Sequence, residues 1–218
     1  MFCQVDPDQV LAVHDVSSTY HVPMVLEKQG FTTSLGKSLH LQRLKIAPEL
    51  ILRGANAWDA WKASTCQEDH HKSVTIALVG KYTSFADSYM SAIKSLEHSA
   101  MACKRRLILI LVDSSLLHEE SKASSSIEYD KAWEAVKAAD GILIPIGFGN
   151  RGTEGMIAAA KYAREKKIPF LGICLGFQVA VIEYARNVCN LPHAGSVECK
   201  SLQNTFHLAP DRPVLRQC

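Results

Sequence analysis

The sequence predicts an α/β protein with an open, mostly parallel sheet that carries helices on both faces. From Val74 onward, short apolar runs alternate with longer helix-like stretches. The apolar runs are nearly continuous, which is typical of strands buried on both faces of a parallel sheet. One run passes into a helix-like stretch through Gly172-Ile173-Cys174-Leu175-Gly176. Such a sharp strand-to-helix turn fits the same class of fold.

The elements alternate along this part of the chain. The predicted strands are Val74 to Val79, Leu107 to Val112, Gly141 to Pro145 and Ile168 to Gly172. The predicted helices are Ser88 to Cys103, Tyr129 to Ala139, Glu154 to Lys166 and a last one that runs from Phe177 toward Val188. Residues Leu116 to Ser126 are polar and serine-rich, which indicates a surface excursion. Right-handed crossovers should join the strands.

The first part of the chain differs in character. Val10 to Val13 predicts a short strand, Pro23 to Gly30 begins a helix, and Ala47 to His71 is typical of a connector. These residues are too few for an independent core. We therefore expect residues 1–45 to be the trailing edge of another domain and residues 46–73 a linker. Residues 74–198 form the α/β part, and 199–218 a divergent tail.

Charge, cysteine content and hydropathy exclude several classes of protein. The 218 residues carry a formal net charge of +2 with mixed signs, so no basic stripe predicts nucleic-acid binding. The seven cysteines are scattered and include no CxxC pair, which predicts neither a disulfide framework nor a metal site. No leader or apolar run of membrane-spanning length occurs, so we expect a cytoplasmic protein that does not engage a membrane.

Cys174 stands at the centre of a predicted nucleophile elbow. Glycines on both sides let the chain bend sharply and pack closely, so the thiol stands clear of the backbone. The N–H dipoles of a helix N-terminus favour a thiolate, and the N–H of Leu175 points where an oxyanion forms during attack on a carbonyl. The alternative is a small apolar residue buried at a strand end.

A second glycine-rich segment, Pro145 to Gly155, follows another predicted strand. Ligand sites in open parallel sheets form beyond the carboxyl ends of the strands, where both segments are expected. Gly147 is the candidate second oxyanion donor. The alternative is that its loop serves packing alone.

Gly80-Lys81-Tyr82-Thr83 is superficially similar to a phosphate-binding loop. The first glycine and the spacing of a Walker motif are missing, so we do not assign that function. Lys81 is expected to be a solvated residue at a strand end.

The chain resembles the CTP synthase family, whose members aminate UTP with ATP and with ammonia taken from glutamine. The stretches that carry the resemblance are Met1–Cys3, Val13–Tyr20, Val79–Tyr82, Gly147–Gly155 and Gly172–Gln178. The resemblance implies that the first residues close a synthetase domain, with His14, Asp15 and Val16 beside the adenine of ATP. It implies that the remainder is part of a class I glutamine amidotransferase domain.

The same resemblance implies the roles of the site residues. Cys174 would attack the side-chain amide of L-glutamine, and Gly147 and Leu175 would offer oxyanion N–H groups. The residues that hold glutamine would be Gly147, Leu175, Gly176, Phe177, Gln178 and Glu198. ATP and Mg belong to the full-length family, and no cofactor is expected on this chain itself.

The sequence also departs from the family pattern. The family completes its triad with a downstream His-Pro-Glu, which the 218 residues do not contain. His207 and His193 are expected to be surface residues rather than substitutes for the missing base. Ile146 stands where the family usually has glycine, and it would be strained if that position needs a positive φ.

These departures predict negligible glutamine turnover by the isolated chain. The main alternative function is a non-catalytic interaction module that pairs with full-length CTP synthase subunits. A peptidase-like relative with a cysteine elbow is less consistent with Phe177-Gln178, because neither residue is a histidine or an acid.

Overall fold

The computed structural model describes residues 4–65 and 72–196. These residues form two compact units. The first contains the described residues up to Thr65 together with Met101–Lys104, and the second contains Lys72–Ala100 and the residues from Arg105 onward. Glu198, His207 and the divergent tail lie outside the described residues, as does Met1–Cys3.

The first unit is helical where the structure describes it. Its helices are α1 (Val22–Lys28), α2 (Phe31–Ser38) and α3 (Pro48–Thr65), with short 3-10 helices at Pro7–Gln9, Thr19–His21 and Leu41–Arg43. The predicted strand at Val10–Val13 is wrong, because these residues are irregular and both valines are exposed. A short apolar run becomes a strand only when another strand pairs with it.

The predicted connector from Ala47 to His71 contains the 18-residue helix α3. Pro48 opens this helix, where its missing N–H costs no hydrogen bond, and Glu49 follows in the first turn. Helix α3 was not predicted because its three aliphatic residues Leu50, Ile51 and Leu52 are consecutive and exposed, and so do not mark one buried face.

A four-stranded parallel sheet forms the centre of the second unit, as predicted. Its strands are β1 (Ser73–Gly80), β2 (Arg106–Asp113), β3 (Gly141–Ile144) and β4 (Phe170–Gly172), in the spatial order β2-β1-β3-β4. All three neighbouring pairs are parallel. The fold class is thus confirmed.

The helices of this unit are α4 (Met90–Ala102), α5 (Glu119–Ser124), α6 (Ser126–Lys137), α7 (Thr153–Lys166) and α8 (Leu175–Asn187). Short 3-10 helices span Ala86–Tyr89 and Ser114–Leu117. The predicted surface excursion at Leu116 to Ser126 is therefore wrong in part. Leu117 is 1% exposed and belongs to the core, and α5 follows it.

Successive residues of β1 face opposite sides of the sheet. Ala77 and Val79 pack in a core formed with α6, α7 and α8, whereas Leu78 packs in a second core with Tyr89 and residues of α4. This arrangement explains why the strands read as continuous apolar runs. None of the helices in the described part of the chain has the length and apolar character that a membrane span requires.

The register of β3 and β4 brings the two predicted site segments together. Ile144 pairs with Gly172, so the strands end at the same level of the sheet. Beyond them, the N–H of Ile173 donates to the carbonyl of Ile144 at 2.9 Å. The glycine-rich segment and the cysteine turn therefore leave the sheet side by side.

Candidate active site

Cys174 occupies the apex of the turn between β4 and α8. Its backbone has φ +56° and ψ −106°, a conformation that non-glycine residues rarely adopt, and its side chain is exposed. Leu175 begins α8 directly after it. The alternative interpretation of Cys174 as a buried apolar residue is wrong, because the turn exposes the thiol instead of packing it.

The two flanking glycines are required by close backbone contacts. A Cβ on Gly172 would overlap the carbonyl of Gly176, and a Cβ on Gly176 would overlap the carbonyl of Ile144. The start of α8 therefore lies directly against the ends of β3 and β4. The glycines set the shape of the turn by letting these backbones approach.

Leu175 supplies one candidate oxyanion donor. As the first residue of α8, it has an N–H for which the helix itself offers no acceptor carbonyl. Its side chain is 5% exposed and belongs to the core, which fixes the beginning of the helix.

Gly147 lies beside Leu175, as the sequence analysis expected of the second donor. A Cβ on Gly147 would lie 3.0 Å from Leu175 Cδ2 and 3.2 Å from Lys81 Cδ, so the bare backbone of Gly147 is enclosed by these two side chains. Ile146 is exposed and does not have a positive φ, so the isoleucine causes no backbone strain. Phe148, which follows Gly147, is 73% exposed.

Lys81 is not the solvated residue that the sequence analysis expected. It follows β1 and is 2% exposed. Its ammonium donates to the carbonyl of Phe148 at 3.2 Å, to the hydroxyl of Thr153 at 3.0 Å and to the carbonyl of Gly149. The sequence gives no sign of this burial, because the acceptors lie about seventy residues further along the chain.

Arg151 also holds the loop that follows β3. Its guanidinium lies 3.3 Å from a carboxylate oxygen of Asp113, at the end of β2, and donates to the main-chain carbonyl of Lys81. Asp113 also accepts from the N–H of Ser115 at 2.8 Å. The ends of β1 and β2 thus hold the loop that contains Gly147.

The structure places the other candidate residues as follows. Gly176 is buried in the turn, Phe177 is 65% exposed, and Gln178 is half-buried on the first turn of α8. His14 and Asp15 are exposed and Val16 is half-buried in the first unit. Glu198 lies outside the described residues. Within residues 4–65 and 72–196, no three histidine, cysteine or carboxylate side chains are grouped to hold a metal ion.

His193 and His118 do not lie beside Cys174. The 13 residues of α8 extend for about 20 Å, and the segment around His193 is tied to the far end of the helix by an Arg186 Nε bond to the Ala194 carbonyl at 2.7 Å. His118 follows β2, on the sheet edge opposite β4, about 14 Å away across three strand spacings. Neither histidine is placed to serve as the base.

The chain is similar to one known protein family and to several known enzymes. The family model for glutamine amidotransferase class-I matches residues 84–211. The chain is 55% identical over 199 residues to the CTP synthase of Schizosaccharomyces pombe, covering 91% of this chain and 33% of that protein. It is 52% identical over 199 residues to the CTP synthase of Eremothecium gossypii, covering 91% and 34%.

Among solved structures, a Trypanosoma brucei CTPS glutaminase domain with bound acivicin matches with a TM-score of 0.49 and 43% identity. The match covers 58% of this chain and 46% of that one. The chain spans about a third of the length of the curated relatives that it matches.

Proposed function

We propose, because the chain belongs to the class I glutamine amidotransferase family, that Cys174 is the nucleophile that opens the side-chain amide of L-glutamine. The observation that carries the proposal is the exposed thiol on a strained turn, directly before Leu175 and with Gly147 enclosed beside it. A rare backbone conformation that exposes a thiol is typical of functional sites.

The proposed reaction begins when the sulfur attacks the amide carbon. A C–S bond forms, and the carbonyl oxygen becomes an oxyanion that accepts from the N–H groups of Leu175 and Gly147. The C–N bond then breaks, ammonia leaves after its nitrogen gains a proton, and a thioester remains on Cys174. Water hydrolyses the thioester to glutamate. Phe177 and Gln178, at the start of α8, are proposed to contact the glutamine.

We propose that this half-reaction belongs to a CTP synthase, because the chain is similar to the fungal enzymes. Ammonia released at Cys174 would aminate UTP in a synthetase domain, with ATP and Mg as that domain's requirements. His14, Asp15 and Val16 in the first unit are proposed to lie near the adenine. The whole reaction is proposed for the full-length enzymes, of which the matched part is about a third.

As a separate polypeptide, the chain is proposed to turn glutamine over very slowly. Departure of ammonia needs a proton donor, and the 218 residues contain no His-Pro-Glu. Loss of the base from such a catalytic set lowers kcat by about 10⁴-fold or more.

The experiment uses a substrate whose leaving group needs no proton, the γ-(4-nitrophenyl) ester of L-glutamate. Intact mass and peptide mapping should show one acyl group on Cys174 with a single burst of nitrophenolate. Ammonia release from glutamine should stay near background. The Cys174→Ser variant should lose the burst, and Cys189→Ser, which changes another exposed thiol, should keep it. Equal labelling of Cys103, Cys174 and Cys189, or equal rates with the D-ester, would contradict the proposal.

A second candidate function is a non-catalytic module that pairs with full-length CTP synthase subunits. The observation that favours it is an apolar stripe formed by Phe177, Val181 and Tyr184 of α8 and by Val188 directly after the helix, which are 40–65% exposed. Exposed apolar patches of this kind mark interaction surfaces. Co-elution with a full-length relative, lost when Val181 and Val188 become lysine, would support the module; separate elution at micromolar concentrations of both would exclude it.

A further inference from the structure

The ammonium of Lys81 is buried in the second unit, and three of its contacts belong to one loop. Its acceptors are the carbonyls of Phe148 and Gly149 and the hydroxyl of Thr153. An ammonium has three N–H donors, and burying it is unfavourable unless those donors are satisfied. The contacts therefore explain how a lysine can be 2% exposed here.

Gly147 lies between two anchored carbonyls, and Lys81 holds one of them. On one side, the carbonyl of Ile144 accepts from Ile173 at 2.9 Å, and on the other, the carbonyl of Phe148 accepts from Lys81 at 3.2 Å. Pro145 between them has a nearly fixed φ. Gly147 is the residue with the most rotational freedom in this short span, so these anchors decide where its N–H points.

The aliphatic part of the lysine side chain adds direct support. A Cβ on Gly147 would lie 3.2 Å from Lys81 Cδ and 3.4 Å from Cε, so the methylene chain lies against the bare backbone. The start of Lys81 is itself fixed, because its N–H donates to the hydroxyl of the buried Tyr89 at 2.9 Å. The lysine thus joins the end of β1 to the loop after β3.

We propose that Lys81 is a positioning residue for the second oxyanion donor, because its ammonium fixes the loop from Gly147 to Thr153 and so aims the Gly147 N–H at the substrate of Cys174. The inference rests on the proposed function of Cys174. Lys81 acts through the loop and does not itself touch the substrate. Oxyanion donors act only when they are preorganised, so a small rotation of Gly147 lowers the rate of acylation.

The test compares two reactions of the same thiol in the full chain. Acylation by the γ-(4-nitrophenyl) ester of L-glutamate passes through an oxyanion, whereas alkylation by iodoacetamide is a direct displacement that forms none. Both rates are measured at Cys174 by peptide mass spectrometry. Lys81→Met keeps an unbranched apolar side chain and removes the three donors. We expect the ratio of acylation to alkylation to fall by about 10-fold or more, since loss of one oxyanion donor lowers rates by about 10²–10³-fold.

Three further variants separate positioning from general stability. Lys72→Met removes an exposed lysine before β1 and should leave the ratio unchanged. Lys81→Arg keeps donors at the site and should recover part of the ratio. Thr153→Val removes one acceptor of the ammonium and should lower the ratio by about 3-fold. If Lys81→Met does not fold, this variant tests the positioning role of Lys81 instead.

The outcomes distinguish this inference from the proposed function. If the wild-type chain is acylated at Cys174 but Lys81→Met, or the fallback Thr153→Val, keeps the full ratio, the positioning role is wrong and the nucleophile stands. If the wild-type chain is not acylated at all, the proposed function fails. Hydrogen exchange over residues 147–153 then tests separately whether Lys81 fixes this loop. Faster exchange confined to the loop in Lys81→Met supports that role, and unchanged exchange overturns it.

Discussion

Gly176 decides whether the turn around Cys174 can form. A side chain here would overlap the carbonyl of Ile144, and main-chain atoms at the junction of a strand and a helix cannot move aside cheaply. Gly147 has more room, because the atoms around it belong to side chains. The bare backbone at these two positions thus meets different surroundings: main-chain atoms at Gly176 and the side chains of Leu175 and Lys81 at Gly147.

We expect Gly176→Ala to lower the free energy of unfolding by about 3 kcal/mol or more, since the overlap involves backbone. Urea denaturation followed by circular dichroism measures the change. Gly54→Ala is the matched control, because nothing lies within 4 Å of its added methyl group on α3. It should stabilise its helix by about 0.5–1 kcal/mol. A Gly176→Ala protein as stable as the parent would show that the turn does not adopt this packing.

At the scale of single residues, the sequence predicts the turn around Cys174 but not the burial of Lys81. The spacing of glycines around Cys174 predicted a turn that exposes the thiol, because the requirement is local. The burial of Lys81 was not predictable, since its partners Phe148, Gly149 and Thr153 are brought near it only by the pairing of β1 with β3. Spacing along the chain records local geometry and not contacts between distant loops.

Helices α7 and α8 are joined by two ion pairs that differ in burial. Arg164 and Glu183 lie 2.7 Å apart, with the Glu183 side chain 3% exposed. Arg186 and Glu154 lie 2.9 Å apart, with the Glu154 side chain 51% exposed. The Glu183 carboxylate raises the pKa of the Arg164 guanidinium above its already basic value, so this arginine stays charged throughout the pH range in which the protein can be studied. These pairs link the helix after the Gly147 loop to the helix after Cys174.

We expect Glu183→Gln to lower the free energy of unfolding by about 2–3 kcal/mol, because it removes one charge of a pair whose carboxylate is buried. Glu154→Gln makes the same chemical change in the exposed pair and should alter stability by less than about 1 kcal/mol. Urea denaturation of both variants gives the comparison. Equal effects would mean that burial does not distinguish the two pairs.

The sequence predicted the elements of the second unit well. In the first unit it predicted the helix that begins near Pro23, which is α1, but missed α3 and wrongly placed a strand at Val10–Val13. Buried strands such as β1 and β3 carry long apolar runs, so their positions were predictable to within one or two residues. The aliphatic residues of α3, Leu50 to Leu52, are exposed instead of lining a buried face, and no strand of the described residues pairs with the run Val10–Val13. Where burial is weak, the hydrophobic pattern that reveals an element is weak too.

The second unit as a whole presents the apolar stripe of α8 to solvent. Its residues recur at intervals of three and four, which is the pattern of a helix face that packs against something. Leu171 on the edge strand β4 is also exposed, at 55%. Fold class followed from the sequence because it depends on repeated elements, whereas this surface became visible only when the helix was oriented on the sheet.

We expect the chain to associate with itself at concentrations of tens of micromolar, because exposed apolar area favours contact between molecules. Sedimentation velocity across a dilution series measures this. Replacing both Val181 and Val188 with lysine should abolish the association with little loss of stability, since each side chain is already about 40% exposed. A wild-type chain that stays monomeric throughout the series would show that the stripe is not a contact surface.

The positive φ at Cys174 also bears on the history of the chain. Glycine adopts this backbone without strain, so Cys174→Gly should make the fold more stable by about 1 kcal/mol while it removes the sulfur. The cysteine therefore has a cost in stability that only a use of its thiol offsets. In a relative that does not use the thiol, we expect glycine to be tolerated at this position.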